Sequence, residues 1–120
     1  DIKVDVDTFY IESESDPDNE RYVFAYTITI QNLGDIAAKL LTRPWVIRDA
    51  NGKTQEVHGD GVVGEQPHLK PGEGFQYTSS TMLATSMGTM GGSYLMVSDS
   101  GDEFKAPIAE FLLSTPHTLH

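Results

Sequence analysis

The chain has no cysteine among its 120 residues, which excludes disulfide scaffolds, thiolate zinc sites and cysteine nucleophiles together. A reducing, cytoplasmic location is the expectation that fits. Cations are scarce as well: 8 Lys and Arg stand against 18 Asp and Glu, a formal net charge of -10. The cations are scattered from Lys3 to Lys105 and form no cluster. Such a surface repels a polyphosphate backbone, so no nucleic-acid partner is expected. No run approaches the ~20 apolar residues of a membrane-spanning helix. No basic segment followed by an apolar stretch precedes Val4, so neither a membrane partner nor a signal peptide is expected. Segments with a 3.6-residue apolar period are almost absent, and the best helical candidate, Asp35 to Leu41, is short.

What is present alternates. From Arg21 to Leu33 the large residues Tyr22, Phe24, Tyr26, Ile28 and Ile30 are interleaved with smaller or more polar ones, the period of a strand with one face toward a core. Ile2, Val4 and Val6 repeat the pattern more weakly. The apolar segment Leu40 to Ile47 holds the single tryptophan, Trp45, and ends at Asp49-Ala50-Asn51-Gly52. Asn and Gly both tolerate positive φ, so this reads as a hairpin turn with Lys53 to His58 returning. A Pro-Gly turn at Pro71-Gly72 precedes a strand through Phe75, Tyr77 and Thr81. Tyr94 to Val97, the turn Ser98 to Asp102 and Phe104 form a second hairpin, and Ile108, Phe111 and Leu113 a last strand. Seven or eight short strands with frequent turns predict one all-β domain over residues 1–120, an antiparallel sandwich of immunoglobulin or fibronectin type III kind. A 120-residue chain is long enough to bury its own core without metals or disulfides.

Five stretches then become recognisable in order: YVFAYTITIQNLG (22–34), RPWVIRDANG (43–52), VHGDGVVGE (57–65), LKPGEGFQYTS (69–79) and the ending Leu119-His120. In that order and spacing the chain closely resembles the ApaG family of small bacterial proteins, over nearly its whole length. The combination of DANG, GVVGE and PGE is more specific than any one of them. The resemblance implies a fibronectin-like sandwich, a cytoplasmic protein without established catalysis, and a link by name to cobalt and magnesium resistance or efflux. It also implies kinship with domains fused in eukaryotic F-box proteins and in a polymerase delta-interacting protein, where the domain recognises other proteins. Pro44 stands where the family pattern usually carries His.

Several constellations invite chemistry. Gly59, Asp60, Gly61, Val62, Val63 and Gly64 match G-x-G-x-x-G, a dinucleotide fingerprint only between a buried parallel strand and a helix. Neither flank fits, and Asp60 and Glu65 would stand beside the phosphates. An anion held by successive backbone N–H groups remains open, but glycines supplying positive φ in a tight loop are preferred. Glu56, His58 and Asp60 at i, i+2 and i+4 would share one strand face and are weak metal candidates, set against the simpler reading of a solvated face. The acidic run Glu12 to Glu20 lacks the calcium-loop glycine and terminal glutamate, and reads as a solvated loop. Trp45 reads as core between the sheets or, with Arg43 and Arg48, as an exposed interaction anchor. Met82, Met87, Met90 and Met96, with Gly88, Gly91 and Gly92, read as a flexible stretch that fills core or offers an adaptable contact. His117 and His120 read as a loosely held tail.

No nucleophile elbow, triad or selectable acid–base pair is present. The expectation is a non-enzymatic module without a cofactor, binding another protein. The alternative is a phosphate, pyrophosphate or nucleotide sensor using Gly59 to Gly64. Exposed strand edges make a homodimer physically easy.

Overall fold

The alternation read from the sequence reappears as burial. In the computed structural model, which describes residues 1–116, strand β2 (Tyr22–Asn32) buries Phe24, Ile28 and Ile30 completely or nearly so. His117 and the Leu119-His120 ending lie outside the described residues. β1 (Ile2–Tyr10) pairs antiparallel with one edge of β2 and β7 (Gly74–Leu83) with the other, giving a three-stranded sheet ordered β1-β2-β7. In β1, Ile2, Val4 and Val6 are half-buried while Lys3, Asp5 and Asp7 are exposed, a face set by period two.

The second sheet is organised around β8 (Met87–Ser98), whose 12 residues reach past two neighbours. One edge pairs along its length with β9 (Glu103–Ser114). The other pairs first with β4 (Trp45–Asp49) and then with β3 (Ala38–Thr42). β5 (Thr54–Val57) lies outside β4, and the two-residue β6 (His68–Leu69) outside β3. All pairings are antiparallel, and the two sheets enclose one apolar core in a sandwich-like arrangement. The largest side chains of that core include Phe24, Trp45, Tyr77 and Tyr94.

Three expectations are corrected. Asp35 to Leu41 forms no helix: Ala38 and Leu40 are buried and Lys39 is exposed, so the segment runs into β3 with a strand period. Leu40 to Ile47 is two strands, because Pro44 has no N–H to give a ladder and Arg43 N–H donates instead to Gly59 C=O at 2.9 Å. Gly92 faces this break so closely that a Cβ would lie 2.2 Å from the Pro44 oxygen, which leaves room only for glycine. Third, Phe104 and the Ile108 to Leu113 segment belong to one strand, β9. Its mid-strand Pro107 sits in a strand hydrogen-bonded along one edge only, as proline in a sheet requires. The methionine-rich stretch is ordered strand: Met90 and Met96 are core, while Met82 and Met87 are about half exposed. The acidic run folds into two single 3-10 turns, Glu12–Glu14 and Pro17–Asn19.

Candidate binding cleft

Where the outer strands of the two sheets approach each other without pairing, the sandwich is open. β7 ends one sheet and β5 the other, and between them lies a cleft of about 250 Å³. Tyr26, Trp45 and Met90 line its apolar part, with Gln55 and Val57 from β5 and Ser79 to Thr81 from β7. A second hollow of about 180 Å³ shares Ile47 and Gln55 with the first and continues past Met82 and Leu83. Together they make a groove along two free strand edges.

The cleft has a distinctive charge. In a chain with 18 acidic residues, its lining among the described residues holds no Asp or Glu and one cation, Arg43. The break at Pro44 puts Arg43 there, half-buried, with its guanidinium against the Gly59 backbone. Among the described residues the guanidinium has neither a salt bridge nor a hydrogen bond to a side chain. Next to it, Trp45 is only 3% exposed and stacks on Tyr26 at 5.7 Å, with Phe111 edge-on at 5.9 Å. Its indole Nε1–H is buried and has no acceptor among the described residues. An unmatched buried donor of this kind costs about 1–3 kcal/mol, and most native structures avoid it.

Near the cleft, the hydroxyls of Tyr77 and Tyr94 are hydrogen-bonded to each other in the core. Burial pushes the Tyr77 phenol up to about 12, and burial with the neighbouring Tyr77 pushes Tyr94 higher still; the Arg43 charge works weakly the other way on both. Both phenols are therefore neutral at physiological pH and are not a source of negative charge for Arg43.

The residues singled out from sequence are redistributed. Arg43 and Trp45 both line the cleft, but Arg48 lies with Val46 on the exposed outer face of β4. The three do not form one surface, because successive strand residues face opposite ways, and buried Trp45 is no outer anchor. Gly59 to Gly64 forms a tight loop in which Gly61 N–H donates to Leu41 C=O at 2.8 Å and Val62 N–H to Glu65 C=O at 2.8 Å. Gly61, at φ +64°, has no room for a side chain, since a Cβ would lie 2.0 Å from the Glu65 oxygen. Val63 and Gly64 also take positive φ, so the loop turns tightly as expected, with two of its amides already engaged. β5 ends at Val57, and Glu56 Oε1 meets His58 Nε2 at 3.5 Å without a third ligand. Among the described residues no three His, Asp or Glu groups converge on a metal position. Asp60, His58, Gly59 and Pro44 instead line a separate surface notch.

No motif in the sequence marks Tyr26, Gln55, Ser79 or Thr81 as site residues. One signal existed. Along β7 the core-facing parity runs Phe75, Tyr77, Ser79, Thr81 and Leu83, so two hydroxyl residues occupy positions where a closed core would take apolar ones.

The chain is thus a two-sheet, all-antiparallel β protein with an opening between its sheet edges. Residues 12–98 match the family model described as the ApaG domain. The chain is 55% identical to Protein ApaG of Nitrosomonas eutropha over 100% of this chain and 94% of that one. It is 56% identical to Protein ApaG of Shewanella halifaxensis over 99% and 94%. A Bordetella pertussis protein whose crystal structure is described as ApaA superposes with TM-score 0.95 at 49% identity, covering 98% of this chain and 96% of that one. The chain belongs to the ApaG family. The fold alone recurs at 10% identity in the C-terminal domain of Wzt, with TM-score 0.56, over 98% of this chain and 75% of that one.

Proposed function

We propose that this protein is a non-enzymatic binding module that holds an extended segment of a partner protein in the groove between β5 and β7. The observation that supports this most directly is the groove's position between two unpaired strand edges. A free edge offers main-chain donors and acceptors to an added strand, and the inward Gln55, Ser79 and Thr81 offer side-chain selectivity. The scaffold in this reading is an immunoglobulin or fibronectin type III-like sandwich, a class whose members carry function in grafted sites. A cytoplasmic location goes with the cysteine-free composition. Self-association through β9 is the less favoured use of an edge, because Pro107 and Lys105 lie in that strand and both blunt edge pairing.

The test is a random peptide library selected on the immobilised protein, with the selected peptides mapped by amide chemical shifts. The expected outcome is a common sequence pattern and shifts concentrated in 54–57 and 78–83. Peptides that map to the outer face around Val46 and Leu112, or a selection that enriches nothing, would overturn the proposal.

A further inference from the structure

We infer that the inner end of this groove, at Arg43 and Trp45, is a carboxylate site. The inference rests on the groove being a binding site and names the chemical group it takes. Three observations converge on it. The cation lining the cleft has no carboxylate partner among the described residues. Among the described residues no acidic side chain lines the cleft, in a chain of net charge -10. Trp45, on the same lining, carries a buried indole N–H that also lacks an acceptor among the described residues. Both unsatisfied groups are donors, so the ligand they call for is an acceptor.

The chemistry selects a carboxylate over a phosphate. One guanidinium matches one negative charge, and its planar fork takes the two oxygens of a carboxylate in a bidentate pair. A phosphate dianion would bring a second charge with no cation to meet it, into a half-buried place where uncompensated charge is costly. The acidic surface repels a multiply charged ligand more strongly than a singly charged one. Ser79 and Thr81, across the cleft, offer hydroxyl donors to the same group. The Tyr26–Trp45 stack supplies a flat apolar wall for whatever bears the carboxylate. Because the indole nitrogen is enclosed, its bond to a ligand oxygen requires the side chains over it to part slightly. The carboxylate is that of a partner segment, from an acidic side chain or a chain end.

Trp45 is the single tryptophan, so its indole N–H gives one resolved resonance in an amide correlation spectrum. The full chain is titrated with benzoate, benzamide and inorganic phosphate at matched ionic strength. The expected result is a saturable shift of the Trp45 indole and Arg43 side-chain resonances with benzoate. Apparent affinity should be at least tenfold weaker for benzamide and for phosphate. R43Q should weaken benzoate tenfold or more, whereas R48Q, on the outer face, should leave it unchanged. Should R43Q not fold, the comparison of benzoate with benzamide on the native chain decides alone. Equal shifts with benzamide, tighter binding of phosphate, or no saturable shift would overturn the site. If library peptides still fill the groove while benzoate fails, the carboxylate assignment falls and the groove reading stands.

Discussion

Replacing Asn32 by alanine removes an amide side chain that is 1% exposed. Its amide Nδ2 donates to Ile36 C=O and Leu69 C=O, each at 3.0 Å, and its Oδ1 accepts from Gly34 N–H at 2.9 Å. The side chain therefore ties the end of β2 to the Gly34–Ala37 turn and to β6, where no sheet ladder can. Each of the three bonds contributes about 1 kcal/mol net, and the Leu69 carbonyl keeps its ladder pairing with Ala38 of β3. The sum is about 3 kcal/mol, a substantial part of the roughly 5–15 kcal/mol that holds a domain of this size. Equilibrium urea unfolding is the assay, with the m-value checked for constancy. N32D should cost at least as much near neutral pH, because a carboxylate can accept from Gly34 but cannot donate to either carbonyl. A loss below about 1 kcal/mol for N32A would refute the view that this side chain clamps the loop.

The buried tyrosine pair sets an alkaline limit. The folded Tyr77 phenol is raised to about 12 from about 10 in the unfolded chain. Its contribution is therefore fully present below pH 10 and is lost as pH rises from about 10 through about 12, by on the order of 2–3 kcal/mol. Denaturant midpoints measured across that window should fall in wild type and fall less in Y77F. G61V should destabilise by about 2 kcal/mol or more, since its side chain would meet the Glu65 backbone at positive φ. A melting temperature unchanged from wild type would contradict that packing. Under mild peroxide, Met82 and Met87, 51% and 48% exposed, should oxidise well before Met90 and Met96, 2% and 0% exposed. Peptide mass mapping reads the order directly, and early oxidation of Met90 would contradict its burial.

Much of the fold is legible in the sequence because its carrier is local. The Tyr22 to Ile30 alternation, the Asn51-Gly52 turn and the Pro71-Gly72 turn each state their conformation within a few residues. Asp35 to Leu41 misleads because Ala37, Ala38, Lys39 and Leu40 are good helix formers, and the burial of Ala38 and Leu40 in a strand paired with β8 overrides that preference. The division of β3 from β4 was written at Pro44, but its meaning depends on Gly92 and Gly59 arriving beside it from distant parts of the chain. The cleft was hidden for the same reason. Arg43, Gln55 and Ser79 meet only when two sheets are stacked, and nothing in the spacing of 43, 55 and 79 records that. The G-x-G-x-x-G string drew attention by its form, yet its amides at Gly61 and Val62 serve the loop itself.

Because the chain has no native cysteine, one introduced thiol gives a reversible plug. Q55C, at the wall shared by both hollows, is joined through a mixed disulfide to a bulky reagent, with R48C on the outer face as the control. Binding of a library-selected peptide is then measured by fluorescence anisotropy before labelling, after labelling and after reduction. Occupancy of the groove requires that binding be lost on labelling at 55, return on reduction and be indifferent to labelling at 48. Binding that survives the plug at 55, or disappears with the label at 48, would contradict the groove as the site.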